Sequence, residues 1–277
     1  MVIDAHQHFW NLQKVAYPWL GPRYGPIYRN FEPSDLEPHL RDSGVDKTIL
    51  VQAMNSDEDT AYMLDMADRY SWIGAVVGWI PLDNPDLAGA RLEELMKHPR
   101  FKGVRHLIHE EPDPDWIIRD EVIAGLSVLA SCGLPFDMVA VFPHHLGHIP
   151  KLLDRIPDLK IVIDHLAKPP IRSGDIELWK GLMAVAASYP QVYAKISGLN
   201  TAADPVTWSA QDLRPYVDAA MDIFGPQRLM YGSDWPVLNL AGTYERVWAE
   251  MNHIFSYYGE GARSAILGKT AEQFYGV

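Results

Sequence analysis

Three stretches of this sequence place imidazole and carboxylate side chains at or just after the ends of apolar runs. His6 and His8 follow the first run of the chain, His165 follows a later one and Asp234 follows the last. Alternate residues of a strand point to one face, so His6 and His8 can face the same interior. Imidazoles and carboxylates bind divalent metals and transfer protons near neutral pH. If the fold brings the four together, they predict a hydrolytic or metal-assisted site.

The elements that must position these residues follow from hydrophobic periodicity. Short apolar runs rich in β-branched residues alternate with segments in which apolar residues recur every three or four positions, which predicts strands alternating with helices. The predicted strands are Val2–His6, Lys47–Ala53, Trp72–Ile80, Lys102–Ile108, Pro135–Val141, Leu159–Leu166, Val192–Leu199 and Arg228–Gly232. Nearly continuous hydrophobic strands between helices indicate a parallel sheet covered by helices.

Two of the helices can be described more closely. Ser34 to Glu37 has the composition of a capping box and predicts the start of the first helix. Apolar spacing at Leu178, Leu182 and Val185 predicts a helix that buries this face. Gly268-Lys269-Thr270 looks like the end of a phosphate loop, but the glycine required five places earlier is Arg263.

Eight βα units predict an α/β fold of the (β/α)8 TIM barrel type, with some distortion left open. An open doubly wound sheet is the alternative, but it would use fewer strands and a glycine-rich first turn that this chain lacks. No shift in composition marks a linker, so residues 1–277 are predicted to form one domain. Barrels of this class keep their chemistry at the carboxyl ends of the strands, which places the four titratable residues at one mouth.

Residues 9–33 stand apart because they show neither helical nor strand periodicity. This segment is rich in aromatic residues: Trp10, Tyr17, Trp19, Tyr24 and Phe31. A loop of this length in a compact domain is usually functional. Because it follows the first strand, we predict that it is an aromatic cover over the active site. An ordinary packed loop is the alternative.

Charge and composition narrow the partners. The chain carries 24 basic and 36 acidic residues, a net charge of −12, so nucleic acid and anionic membranes are poor partners and a small-molecule substrate is expected. The single cysteine, Cys132, excludes an internal disulfide and a Cys-x-x-Cys motif. With neither a signal peptide nor a long apolar stretch in view, we expect a cytoplasmic location. A homo-oligomer is left open.

The motifs around the titratable residues resemble the amidohydrolase superfamily. DAHQHFW on the first strand, DHLAKP after the sixth and YGSDWP after the eighth are similar to the lactonase branch called amidohydrolase family 2. GVRH on the fourth strand and the closing ILGKTAEQFYG also fit, so the resemblance runs from residue 3 to about residue 275. The branch includes hydrolases of fuconolactone and rhamnonolactone, and of pyrone dicarboxylate and muconolactone.

The resemblance implies roles for individual residues. Asp234 matches the carboxylate that handles the hydrolytic water, and His165 is the second catalytic candidate. His6 and His8 match a metal-binding pair, whose shell His165 or Asp234 would complete. Binuclear relatives need a bridging Lys or Glu at the end of strand four, where this chain has Arg105-His106. The resemblance therefore implies at most one divalent ion, with zinc expected and its need for activity left open.

Polar and aromatic residues near the strand ends are predicted to contact the substrate. They are Arg105, His106, Trp10, Lys168, Trp235 and His145. For Arg105 the alternative is an ion pair with Glu110 or Glu111, because its guanidinium is always charged. Lys195 lies within a buried strand, where a lysine needs an acidic partner, so we predict a structural ion pair.

Hydrolysis of a sugar-derived lactone, with Asp234 as general base, is the function these observations favour. Two alternatives stay open: hydrolysis of a dicarboxylate lactone, and metal-dependent decarboxylation. A non-catalytic sugar-binding protein is disfavoured, since a binder has no use for a converging carboxylate and imidazole cluster.

Overall fold

Eight aliphatic, largely β-branched runs form the strands of a barrel in the computed structural model, which describes residues 1–277. The strands are β1 Ile3–Gln7, β2 Lys47–Val51, β3 Ile73–Gly78, β4 Phe101–His106, β5 Phe136–Met138, β6 Ile161–Ile163, β7 Val192–Ile196 and β8 Leu229–Tyr231. Each strand pairs in parallel with the next one along the chain, in the order β1 to β8. The predicted (β/α)8 barrel is confirmed, with strands shorter than predicted.

Backbone beyond the last strand closes the barrel between β8 and β1. The amide of Asp234 donates to the carbonyl of His6 over 2.8 Å, and the amide of His8 donates to the carbonyl of Trp235 over 2.7 Å. These bonds lie at the carboxyl end of β1, beyond the short ladder of β8. We call this junction of His6 and His8 with Asp234 and Trp235 the seam of the barrel, and three of these residues belong to the candidate site.

A bulge in β1 turns both histidines inward. Asp4 pairs with Thr48 and Gln7 pairs with Leu50, so β1 holds one more residue than β2 over this stretch. Ala5 packs in the barrel interior, yet the neighbouring His6 also points inward, toward Asp164. Simple alternation predicts that His6 and His8 share a face, and the bulge is what brings that face to the interior.

The helices follow the strands around the outside of the barrel. They are α1 Pro33–Ser43, α2 Asp57–Arg69, α3 Pro85–Leu95, α4 Asp120–Ser131, α5 His148–Arg155, α6 Ile176–Ala187, α7 Ala210–Phe224, α8 Tyr244–Phe255, α9 Glu260–Ser264 and α10 Thr270–Tyr275. None of these helices is long and apolar enough to cross a membrane.

Two local predictions about the helices are wrong. The capping box of α1 consists of Glu32 and Asp35 instead of Ser34 and Glu37, because Pro33 occupies the first helical position. In α6 the buried face is Trp179, Met183 and Ala186, whereas Leu178 and Val185 are 55% and 50% exposed. Trp179 is buried instead of Leu178 because its indole ring covers more apolar area and its indole N–H donates to the buried carbonyl of Leu166.

The bottom of the barrel is apolar and is sealed by the C-terminal segment. Ile3, Ile49, Val77 and Met230 belong to an interior cluster that Tyr275 of α10 closes from below. Residues Ala265–Lys269 form a π-helical turn before α10. A Cβ on Gly268 would lie 2.2 Å from the carbonyl oxygen of Met1, so this glycine serves a close backbone approach, not a phosphate.

Candidate active site

Four titratable side chains meet at the carboxyl end of the barrel. His6 and His8 come from the end of β1, His165 from the turn after β6 and Asp234 from the loop after β8. The Nε2 atoms of His6 and His8 are 3.2 Å apart. Oδ1 of Asp234 lies 3.4 Å from Nε2 of His8, 3.8 Å from that of His6 and 3.9 Å from that of His165. The structure therefore brings together all four residues that the sequence singled out.

Left-handed backbone positions the residues that follow β6 and β8. His165, Leu166, Ala167 and Lys168 all have positive φ, between 49° and 60°, and so does Asp234 at 60°. This conformation costs roughly 1–2 kcal/mol per non-glycine residue, so surrounding contacts must maintain it. The indole N–H of Trp179 donates to the carbonyl of Leu166 at 2.8 Å, and the amide of Phe142 donates to that of Ala167 at 2.9 Å. This left-handed turn lets the side chains of His165 and Lys168 both line the cavity at the mouth of the barrel.

Asp234 is a buried carboxylate that remains ionised. Burial would raise its pKa, but His165, His8 and Lys168 outweigh burial and hold the pKa below its ordinary value. Its Oδ2 atom has no hydrogen-bond partner, although the ammonium of Lys168 lies 3.9 Å away. An ionised oxygen without a partner can accept a proton from a molecule in the cavity.

Two of the imidazoles around Asp234, those of His6 and His165, are held in the neutral form. Burial lowers the pKa of His6 and of His165 well below the ordinary value. Nδ1 of His165 lies 2.8 Å from the hydroxyl of Ser197, and Nδ1 of His8 lies 2.7 Å from the carbonyl of Val51. These contacts fix the rings and leave their Nε2 atoms directed toward Asp234.

The donor set fits one divalent metal ion. Tetrahedral zinc holds nitrogen ligands at about 2.0–2.1 Å, which puts neighbouring donor atoms about 3.3 Å apart. His6, His8 and Asp234 offer donor atoms separated by 3.2, 3.4 and 3.8 Å. The unpartnered oxygen of Asp234 is a further sign that this carboxylate has capacity for a ligand. The residues present therefore suit a metal site of nitrogen and oxygen ligands.

A cluster of buried charges lies directly beneath these residues. Arg105 bonds to Asp164 through Nε at 2.8 Å and to the carbonyl of Gln52 through Nη1 at 2.9 Å. Lys195 forms ion pairs with Asp137 and Asp164, all three fully buried. Two cations and two anions balance, as buried charges require. The predicted ion pair of Lys195 is confirmed, while the partner of Arg105 is Asp164 instead of Glu110 or Glu111.

A cavity of about 190 Å³ opens above the titratable residues. That is below the usual range for drug-sized ligands, so it suits a small metabolite. One wall is aromatic, with Trp10, Trp19 and Tyr24, and the other is polar, with Arg105 and Lys168. Trp10, Arg105 and Lys168 were predicted substrate contacts, and each lines this cavity.

The aromatic wall belongs to the segment 9–33, which is tied down at several points. Trp10 pairs with Phe31 through two backbone hydrogen bonds, and the indole of Trp19 donates to the carbonyl of Ala53 at 2.8 Å. The hydroxyl of Tyr17 donates to Asp59 at 2.7 Å, which anchors the segment to α2. The segment is therefore an ordered wall of the cavity.

Three predicted substrate contacts lie outside the cavity. His106 accepts from the indole of Trp79, lies 2.7 Å from Glu111 and stacks on Trp116. Nδ1 of His145 accepts the amide of Val141. Trp235 packs edge-on against Phe9 and Phe31. None of the three lines this cavity, so substrate contact by His106, His145 and Trp235 stays a prediction.

Two titratable residues that line the cavity were not predicted as site residues from the sequence. His109 and Glu110 lie in the 3-10 turn Ile108–Glu110 after β4 and face the cavity. Burial and the nearby cations Arg105 and Lys168 lower the pKa of His109 to about 4, so its ring is neutral near pH 7. Their position, three and four residues beyond the strand end at His106, was the available signal.

A closed eight-stranded barrel with acid–base groups converging on a cavity at its carboxyl end defines a barrel enzyme. A family model described as Amidohydrolase matches residues 3–277, and the chain belongs to this family.

Its relatives include two curated lactonases. The chain is 41% identical to an L-fucono-1,5-lactonase of Burkholderia ambifaria, over 99% of this chain and 94% of the relative. It is 36% identical to an L-fucono-1,5-lactonase of Burkholderia multivorans, over 99% of this chain and 95% of the relative. A crystal structure of a Burkholderia multivorans amidohydrolase with bound zinc superposes with a TM-score of 0.93. That protein is 33% identical, with 100% of this chain and 99% of the other covered.

Proposed function

We propose that this protein is a sugar lactonase that hydrolyses the cyclic ester of an aldonic acid such as L-fuconolactone or L-rhamnonolactone. The observation that carries the proposal is the ionised carboxylate of Asp234, which lines a small cavity beside the imidazoles of His6, His8 and His165. Full-length similarity to L-fucono-1,5-lactonases supports the same substrate class.

Asp234 begins the reaction as a general base. A water molecule in the cavity gives one proton to the carboxylate of Asp234 while its oxygen forms a bond to the lactone carbonyl carbon. The low pKa of Asp234 keeps the base free of protons before the reaction. The surrounding left-handed backbone fixes the direction in which the carboxylate points.

Cations and imidazoles stabilise the negative charge that develops on the carbonyl oxygen. His165, Lys168 and Arg105 line the same cavity and present N–H groups to it. Donors held in place before the reaction are worth more than mobile water, because no reorganisation is needed. The bond to the ring oxygen then breaks, and protonated Asp234 returns its proton to that leaving oxygen, either directly or through His165, which gives up one proton as it receives that of Asp234.

His6, His8 and Asp234 would hold one zinc ion, with His165 adjacent. A divalent metal ion bound there supplies Lewis acidity toward the carbonyl oxygen. Similarity to the zinc-containing relative supports the choice of metal. A lactone is an activated ester, so the protein donors around the cavity provide a second means of stabilising the charge.

The polar wall favours a neutral, hydroxylated substrate over a dicarboxylate. Of the two cations at the cavity, Arg105 already uses Nε and Nη1 for Asp164 and Gln52. Glu110 adds a negative charge to the same wall and can accept hydrogen bonds from sugar hydroxyls. A dicarboxylate would need more free cationic donors than this arrangement offers.

The test is a panel of lactones monitored with a pH indicator. We expect turnover of L-fucono- or L-rhamnonolactones, and turnover of only a dicarboxylate lactone would contradict the proposal. Release of carbon dioxide from an aromatic or enoic acid, lost after stringent chelation, would assign decarboxylation instead.

A further inference from the structure

Lys195 lies beneath His6 and has no part in the chemistry proposed above. It reaches from β7 into the barrel interior, where its side chain is fully buried. Its Nζ donates to Oδ2 of Asp137 and, at 3.1 Å, to Nδ1 of His6. An ammonium group can only donate hydrogen bonds, so the contact with His6 requires an Nδ1 atom that carries no proton.

This contact fixes the proton on the far side of the His6 ring. An imidazole ring whose Nδ1 atom accepts a hydrogen bond carries a single N–H. The proton must then lie on Nε2, which donates to Nε2 of His8 over 3.2 Å. The hydrogen bond on the far side of His8 agrees with this assignment. The carbonyl of Val51 can only accept, so Nδ1 of His8 carries a proton and donates it, which leaves Nε2 of His8 to accept from His6.

Asp164 could hold the opposite tautomer of His6. Its Oδ1 lies 3.3 Å from Nδ1 of His6 and 3.2 Å from Nζ of Lys195. The ammonium of Lys195 therefore lies beside both atoms, and it occupies the Nδ1 lone pair that a proton would otherwise take.

We propose that Lys195 is a positioning residue that holds His6 as a proton donor to His8 and thereby weakens metal binding at this site. To bind an ion through Nε2, His6 must lose the proton there, and Nδ1 must gain one. The hydrogen bond from Lys195 to Nδ1 then breaks, and the new Nδ1–H donates to Oδ1 of Asp164. The number of protons is unchanged, but the ammonium loses an acceptor and faces a second cation.

This inference rests on the metal site proposed above and does not depend on which lactone is hydrolysed. Its first test needs no substitution. In metal-free protein, long-range proton–nitrogen NMR correlations should show the His6 proton on Nε2. A His6 proton on Nδ1 would overturn the proposal.

The second test removes Lys195 without leaving a buried charge unbalanced. In the double variant Lys195→Met/Asp137→Asn one cation and one anion disappear together, and the new amide oxygen can still accept from the hydroxyl of Tyr275. We expect its zinc dissociation constant, measured by competition with a coloured chelator, to fall about tenfold or more relative to the unmodified protein. The His6 proton should move to Nδ1.

Asp137→Asn alone is the matched control, because it retains Lys195 and its contact with His6. It should bind zinc no more tightly than the unmodified protein. If the double variant binds zinc no more tightly than this control, the proposal is wrong. Lactone turnover by the unmodified protein is measured separately, so failure of the proposed activity would be distinguishable from failure of this inference.

Discussion

The surroundings of Asp234 stabilise its negative charge but leave one of its two oxygens without a hydrogen bond. His165, His8 and Lys168 lower the pKa of the carboxylate against the effect of burial, while its Oδ2 atom accepts no hydrogen bond from the protein. Most buried carboxylates are satisfied by neighbouring donors. An ionised carboxylate at the cavity, with hydrogen-bonding capacity left over, is what a base needs in order to receive a proton from water.

Replacing Asp234 with Asn removes the negative charge and keeps the shape of the side chain. We expect kcat for the best lactone to fall by about 10²–10⁴-fold, as in other losses of general acid–base catalysis, with a smaller change in KM. Melting temperature and kcat are measured on the same variant. A stable Asp234→Asn protein that keeps more than about a tenth of its activity would assign the base to another residue, with His165 next.

The pH dependence of activity follows from the same carboxylate. Because the pKa of Asp234 lies below its ordinary value, the base stays ionised as pH falls through the range in which a typical aspartate becomes protonated. We therefore expect kcat/KM to show no acidic limb above about pH 5. A limb near pH 6 that disappears in Asp234→Asn would show that the pKa of the base is raised instead of lowered, contrary to this expectation.

The convergence of His6, His8, His165 and Asp234 was predictable because each residue follows a strand, and all strand ends of a parallel barrel meet at one mouth. The lining residues His109 and Glu110 were not predictable in this way. A short 3-10 turn after β4 aims them inward, and turns of this kind leave no periodic signal. The surroundings of His106 were not predictable either, since its aromatic neighbours Trp79 and Trp116 are 27 and 10 residues away in the sequence.

At the scale of elements, the segment 9–33 is a loop that hydrogen bonds hold in place as one wall of the cavity. Its hold on the barrel depends on a few side-chain hydrogen bonds, among them that of Tyr17 to the buried Asp59. The sequence indicated an aromatic cover. Its hydrogen-bond partners, the carbonyl of Ala53 after β2 and the carboxylate of Asp59 in α2, are more than 30 residues away in the sequence and could not be predicted from it. The buried face of α6 was missed similarly, because the indole of Trp179 bonds to a turn that the sequence does not reveal.

Tyr17→Phe removes the anchor between this segment and α2. A hydrogen bond to a charged group contributes about 1.5–3 kcal/mol, so we expect a lower melting temperature. Since Trp10 and Trp19 line the cavity, a looser segment should also raise KM more than it lowers kcat. Steady-state kinetics on the preferred lactone measure both.

Tyr28→Phe is the control for this variant, because Tyr28 lies in the same segment but is 44% exposed. Its kinetics should match those of the unmodified protein. Equal effects from the two substitutions, or none from Tyr17→Phe, would show that the anchor does not order the cavity wall.

At the scale of the whole molecule, close packing between barrel and helices depends on a glycine in α4. A Cβ on Gly125 would lie 2.1 Å from the carbonyl oxygen of Leu82, in the segment after β3. Gly89 in α3 is the matched position, because its nearest neighbour would be Val128 at an ordinary 3.7 Å. The two helices pack side by side, so the comparison isolates the close approach.

We expect Gly125→Ala to lower stability by about 1–3 kcal/mol through overpacking. Gly89→Ala should raise stability by about 0.5–1 kcal/mol, because alanine favours the helix interior. Denaturant unfolding of both variants measures the difference, and kcat should be unchanged in each. Equal stabilities would mean that the α4 backbone yields to the added methyl group.

The seam between β8 and β1 has a consequence for how this molecule loses activity over time. The amides of His8 and Asp234 close the barrel, and the side chains of the same two residues belong to the candidate site. Every transient opening of the seam must therefore disassemble the site at the same moment. Amide hydrogen exchange at these two positions should then report the lifetime of the active form, and heating should inactivate the protein at the rate of this local opening.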